Sequence, residues 1–233
     1  MTTSLLFQAS APFEWSRISA RGVEAESFLQ GQLSQDVTNV GPHGVWSLLL
    51  SPTSDVLTSL RVLRRKEGFD LEVPRGVAVA AHARLRRFLL RTDCVLELED
   101  IAEGPVATIG EQVESGFAGP HEFAMELTPQ CFGASFVASM VSFTKGCFTG
   151  QELVGRLDAR GSSVPWRLVR CSGPTLERIN EALSSKGPVE GPQGVTTAIS
   201  HAGGVLALGF AHRSALSDGA LAEFGDVNVT EIV

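Results

Sequence analysis

The sequence has no tyrosine and only three lysines. Neither shortage points to a function, but other absences exclude whole classes. The four cysteines, Cys94, Cys131, Cys147 and Cys171, form no CxxC pair and follow no regular spacing. That excludes a zinc ribbon, a thioredoxin-like dithiol and a dedicated iron–sulfur ligand set. The five histidines are scattered, so no metal site is expected. Residues 1–10 lack a basic start and a long apolar core, so no secretory leader is expected. The longest apolar stretch, 131–143, is too short for a membrane span and is broken by Gly133 and serines. A reducing, cytoplasmic setting follows as the expectation, with no membrane partner.

What remains is an ordinary globular composition, 43% hydrophobic and 19% charged. The 233 residues suffice for one large domain or two to three small ones. Glycine at 24 and proline at 11 favour many turns, hence a β-rich or mixed fold. The net charge of −7 weighs against a general nucleic-acid coat protein, and no direct nucleic-acid partner is expected. The charge is uneven, however. Residues 61–91 carry nine Lys/Arg against three Asp/Glu, a local excess of +6 on an acidic chain. Such a strip is either a solvated face or an attractor for an anionic molecule.

Periodicity predicts a short amphipathic helix over 23–33, with Ala25, Phe28, Leu29 and Leu33 on one face. Apolar runs at 45–50 and 55–63, then FDLEV, read as three strands. Helical spacing returns over 76–91, and 94–98 alternates as a strand. Together these make an α+β layer over 46–104. A strand is expected at PVATIG (105–110). Helices are expected from Gln151, stopping near Gly161, and over 174–186, with Pro174 in the first turn and Gly187 at the end. The tail 188–233 reads as a small sheet or barrel built from GVTTAIS, GVLALGFAH and DVNVTEI.

One stretch carries chemistry: residues 144–152, TKGCFTGQE. Thr149 and Glu152 have the spacing of a helix capping box. Cys147 would then precede a helix N-terminus, with Lys145 two residues away, and both favour a thiolate. Gly146 and Gly150 would admit a close ligand or a left-handed backbone. On the residues alone, Cys147 reads either as a reactive thiol or as a small buried apolar residue. Likewise Glu152 reads as a cap partner and Gln151 as plain surface.

KGCFTGQE resembles the K-G-C-Y-x-G-Q-E signature of the YgfZ family, folate-binding proteins similar to the glycine-cleavage T-protein and linked to iron–sulfur cluster assembly or repair. Residues 17–36, SLLLSP, RLRRFLLRTDCVLEL, TTAIS and LALGFAHR resemble further stretches of that family. The resemblance implies a T-protein-like α+β folate-binding fold. Its first domain is discontinuous, over 1–45 and 105–163. A ferredoxin-like α+β insert occupies 46–104, and a small C-terminal β-barrel occupies 164–233. It also implies Lys145 and Cys147 as the activity-bearing pair, and tetrahydrofolate as ligand near Gln32, Asp36, Gly146, Gln151 and Glu152. Arg156, one turn beyond Glu152, would meet a glutamate carboxylate of the folate, either a single glutamate or a polyglutamate tail. Iron–sulfur client enzymes or assembly factors would be the partners. This sequence departs from the family in having Phe148 for the signature tyrosine, Ser54-Asp55 for a Gly-Lys pair and Gln130 for an acidic residue. The alternative, an aminomethyltransferase like the T-protein itself, would need an Asp-Asp pair where Thr58 and Ser59 stand.

Overall fold

The computed structural model describes residues 6–161, 163–188, 190–217 and 221–233. The first five residues of the segment read for a leader lie outside this range. In chain order the elements are β1 (Leu6–Phe7), β2 (Trp15–Arg21), α1 (Ala25–Gln32), β3 (Val45–Leu50), β4 (Val56–Arg65), β5 (Gly68–Pro74), α2 (Arg75–Arg86) and β6 (Val95–Ile101). There follow α3 (Ile109–Ser115), α4 (Pro120–Phe123), α5 (Ala134–Met140), α6 (Gln151–Ala159), β7 (Trp166–Gly173), α7 (Leu176–Ser184), β8 (Gly194–His201), β9 (Gly204–His212) and β10 (Asn228–Glu231). Short 3-10 turns sit at Pro129–Phe132 and Ala222–Phe224.

The strands form two five-stranded sheets, ordered β3-β4-β5-β2-β6 and β1-β8-β9-β7-β10. The first is antiparallel throughout. Its inward residues, such as Ile18, Ala20, Leu60, Leu71 and Val73, pack under α1 and α2 through Phe28, Leu29, Ala81 and Leu85. In the second sheet, α7 covers one face with Ile179 and Leu183 against Val169 and Ala207. A third cluster joins the two halves. It sets Leu48, Leu50 and Val56 of the first sheet against Phe123, Phe132, Val154, Leu168 and Phe210.

Several expectations need correction. The second sheet is not a closed barrel. Closure would require its edge strands to pair, but two-residue β1 bonds in parallel to β8 and four-residue β10 bonds to β7. The layer expected over 46–104 shares its sheet with the N-terminal segment, because β2 lies between β5 and β6. PVATIG is not a strand. It contributes one bridge, Thr108 to Pro12, before Thr108 caps α3. The Thr108 hydroxyl accepts from Glu111 N–H at 3.1 Å, and Glu111 returns a bond to Ala107 N–H at 2.8 Å. Helix α2 ends at Arg86 rather than 91, unwinding through the bonds Phe88 N–H to Leu85 and Leu89 N–H to Arg86. Pro174 precedes the cap of α7, which is Thr175.

Strand β2 has only Ile18 and Ala20 as inward apolar residues, and its outward face carries Arg17 and Arg21. Both guanidiniums meet Asp70 of β5, as does Arg65 at 2.7 Å. Burial alone would raise the Asp70 carboxyl, but the hydrogen bonds from Arg21 and Arg65 hold it below the usual carboxylate range. Ile18 is fully buried at the centre of the sheet. Ile18→Ala is expected to cost about 2–5 kcal/mol. Urea titration should show a lower midpoint with an unchanged slope.

Candidate functional site

The site is assembled on the last turn of α1. This eight-residue helix has no basic residue in its last turn, so its C-terminal carbonyls have no local cation. Lys145 supplies one from more than a hundred residues away. Its Nζ donates to the carbonyls of Gln30 and Leu33, both at 2.6 Å, and of Gln35 at 3.1 Å. Those are the three protons an ammonium has. The cation also lies 5.2 Å from the centre of the Phe148 ring. Burial lowers the Lys145 amine from 10.5 to about 8, while the charge of Asp36 pulls the other way.

The two segments are stitched together around this contact. Ser34 Oγ donates to Met140 O at 2.6 Å and accepts from Leu48 N–H at 2.8 Å. Gln35 Nε2 donates to Ser139 O, Ser142 N–H to Ser34 O, and Thr149 N–H to Gly31 O. Gln30 grips the turn that follows α1, accepting from Val37 N–H and donating to Asp36 Oδ1. The polar run QGQLSQD at 30–36 was the sequence signal for these residues. Ser34, Gln30 and Gln35 were nevertheless absent from the expected site.

The expected residues fall into three groups. Lys145, Gln32 and Asp36 gather at the end of α1. Asp36 Oδ1 takes bonds from Thr38 Oγ1, Thr38 N–H and Gln30 Nε2, while Oδ2 takes none among the described residues. The Thr38 bonds, helped by Gln30 and Lys145, hold this carboxyl below its ordinary value against a smaller effect of burial. Gly146 and Cys147 are exposed on the loop between α5 and α6. A Cβ on Gly146 would meet nothing within 4 Å, so neither crowding nor its φ requires glycine there. Glu152 and Arg156 are exposed on α6.

The capping box expected at Thr149 and Glu152 does not form. Gly150 is the residue before α6, and no side chain caps it. Thr149 N–H is engaged by Gly31, and Gly150 takes a left-handed φ of 83° with its missing Cβ 2.6 Å from Ser51 O. Gln151 does the local work instead, its Oε1 accepting from Phe148 N–H at 3.2 Å. Ser54 also has a positive φ, 75°, where the sequence resemblance would place glycine. Its Oγ donates to Gly150 O at 2.5 Å, which offsets part of a backbone cost of about 1–2 kcal/mol.

The lysine charge expected to support the thiolate is directed at α1, and Cys147 Sγ has no hydrogen-bond partner among the described residues. What sets Cys147 apart is access. All four thiols are free, and the other three are buried. Burial pushes Cys94 and Cys131 up, and Cys171 to about 12. Four surface cavities, of about 300–590 Å³, are lined by segments other than the signature. Among the described residues no group of three or more His, Cys, Asp or Glu could hold a metal ion, and no helix is long and apolar enough to cross a membrane.

Two outcomes follow. A thiol reagent such as Ellman's should label one cysteine of the native chain rapidly, and Cys147→Ala should abolish that phase; rapid labelling of a second thiol would contradict the burial. Competitive acylation should give Lys145 a midpoint near pH 8, against about 10.4 for an ordinary lysine. Because the folded amine releases its proton before the unfolded one, stability should rise with pH from about 8 to 10.5.

Comparison with known proteins agrees with the sequence resemblance. No family model matches the chain. The tRNA-modifying protein YgfZ of Enterobacter sp. (strain 638) is 27% identical over 90 residues, which is 37% of this chain. The match spans only 27% of that relative's length. The crystal structure of the glycine cleavage system aminomethyltransferase T from Bartonella henselae superposes with a TM-score of 0.60. It covers 89% of this chain and 80% of that one at 14% identity, a likeness of fold. The chain is therefore YgfZ-like in sequence, and its two open sheets and their helices have the mixed α+β fold of the T-protein.

Proposed function

We propose that this protein binds tetrahydrofolate at the signature loop and acts as an accessory factor in iron–sulfur cluster assembly or repair, with Cys147 as its reactive thiol. The observation that carries the reading is the clamp between Lys145 and the end of α1. It presents an exposed cysteine on a loop fixed at both ends, whose Lys145 reaches the helix end where Gln32 and Asp36 lie. The donor set suits a folate. Asp36 Oδ2 is free to accept from a pterin-like N–H, and Arg84, beside Gln32, has an unpartnered N–H that matches a glutamate carboxylate. Phe148 offers an aromatic face without the phenol of the family signature. When bound, the folate would supply one-carbon or redox chemistry; the chain's own residues would orient it and present the thiol. The clients would be iron–sulfur enzymes or their assembly factors, met in the cytoplasm. The Enterobacter relative's name, a tRNA-modifying protein, fits a role upstream of tRNA-modifying iron–sulfur enzymes.

The second reading, aminomethyl transfer as in the Bartonella neighbour, has less behind it. Thr58 and Ser59 stand where the carboxylate pair is needed, and both side chains are buried. The nearest substitute, Asp55, holds its own turn by accepting from Ser51 and Thr53 hydroxyls at 3.0 and 2.6 Å.

The test is calorimetric titration with tetrahydrofolate, joined to complementation of a strain lacking its own homologue. Saturable binding is expected, weakened about tenfold or more in Lys145→Ala, which disrupts a charge-assisted contact network. Cys147→Ala should bind folate normally yet fail to restore iron–sulfur enzyme activity. Full restoration by that variant would end the thiol role, and absence of saturable binding would end the folate reading.

A further inference from the structure

The +6 strip of the sequence divides into two chemically different halves. In its first half every arginine has an acid. Arg61 meets Glu72 at 2.6 Å, Arg64 meets Glu26, Arg65 meets Asp70, and Arg75 meets both Glu14 and Asp100. The second half, 84–91, holds Arg84, Arg86, Arg87 and Arg91 and no carboxylate. None of these four has an ion-pair partner among the described residues. Arg86, Arg87 and Arg91 are exposed at the end of α2 and the turn beyond it.

Arg84 is different. Its guanidinium lies over the Phe88 ring, 3.9 Å from the ring centre, a cation–π contact that helps hold it in place. Nη1 reaches Gln32 Oε1 at 3.4 Å, a bond at the long end of the useful range. Nη2 is shut off from water and has no acceptor among the described residues. Such an orphaned donor is costly, and it is worse for a charged group. Burial, and then the like charge of Arg87, push the Arg84 group down from its ordinary value. Every one of these costs would be relieved by an anion with two oxygens in a plane, the geometry a guanidinium fork accepts. The Gln32 amide is a weakly held placeholder that such a group would displace.

We infer that Arg84, flanked by Arg86 and Arg87, is a carboxylate subsite that takes the γ-glutamyl tail of the ligand bound at the signature loop. The assignment rests on the folate reading above for the identity of that ligand. Position supports it. Gln32 belongs to the same last turn of α1 whose carbonyls hold Lys145 and Thr149. Through Gln32, Arg84 of α2 thus meets the same helix end that anchors the signature loop. Net charge favours a short tail over a nucleic acid. Outside 61–91 the chain carries 23 Asp/Glu against ten Lys/Arg, which repels a long polyanion but not a few carboxylates focused on four arginines. Arg156, the residue the sequence nominated for this role, is exposed on α6 and has no such cradle.

Calorimetry on the full chain tests the subsite with three probes: monoglutamyl tetrahydrofolate, tri-γ-glutamyl tetrahydrofolate and the tri-γ-glutamate peptide alone. The tail should tighten binding about tenfold at low salt, the worth of a charge-assisted bond, and less at high salt. Arg84→Met should erase that preference, and Arg84→Lys, which keeps charge without the fork, should retain part of it. Arg87→Met should weaken it, and Arg156→Met should leave it intact. Thermal melts of each variant exclude misfolding. Equal affinity for the two folates, or an undiminished preference in Arg84→Met, overturns the subsite while the folate reading stands. Binding of the peptide alone in an Arg84-dependent way, with neither folate bound, would keep the subsite and sink the folate reading. A short single-stranded RNA that displaces the peptide with higher affinity would assign the arginines to phosphate and overturn the proposal.

Discussion

An ammonium capping the wrong helix organises this protein. Helix α1 ends without a cation of its own, and Lys145 arrives from the far side of the chain to bond the carbonyls of Gln30 in its last turn, of its cap Leu33 and of Gln35 just beyond. A helix C-terminus carries partial negative charge, so the contact is electrostatically matched as well as hydrogen-bonded. It is partly buried, and that burial lowers the amine's own proton affinity. The signature loop therefore cannot be understood as a freestanding peptide. Its lysine is structural cement for α1, and its cysteine is left facing outward on a loop anchored by Lys145 before it and by Thr149 and Gly150 after it.

Charge follows a second constraint, the pairing of strands. Strand β2 is inserted between β5 and β6, which places Arg17 and Arg21 beside the buried carboxylate of Asp70. A carboxylate so enclosed needs cations, and three arginines provide them. Helix α2 packs on the opposite face through alanines and Leu85, so the arginines of its last turn have no strand acids to meet. The same stretch of sequence thus holds neutralised arginines on the sheet and at the start of α2, and unneutralised ones at the end of α2 and just beyond it.

The fold of the T-protein is shared at 14% identity, while Thr58 and Ser59, where the sequence resemblance would place an acidic pair, are buried without a carboxylate. Sheet register and apolar packing need only side chains of suitable size at these buried positions, whereas proton chemistry needs a carboxylate. Architecture and chemistry can therefore part company. Position 54 makes the same point on a smaller scale. The backbone there still takes a left-handed φ, as glycine would, and Ser54 tolerates it because its hydroxyl finds Gly150 O.

Strong local periodicity was enough to read much of the chain directly. The runs VWSLLL and GVLALGFAH, the face of α1, the start of α6 and the signature octapeptide were all legible, because each writes its environment into neighbouring residues. Elements with weak local patterns were not. SRISAR became a central strand only through partners fifty and eighty residues away, and PVATIG lost its strand to a cap at Thr108. The T-x-x-E pattern occurs at both 108 and 149, yet only Thr108 caps a helix, because Thr149 and Gly150 are held by Gly31 and by the approach of Ser51. Residue types alone thus determined which groups could do chemistry, a thiol, an ammonium and a set of arginines. Which thiol meets solvent, which carbonyls take the ammonium and which arginines go unpaired were decided by tertiary structure, since burial and pairing are properties of neighbours in space.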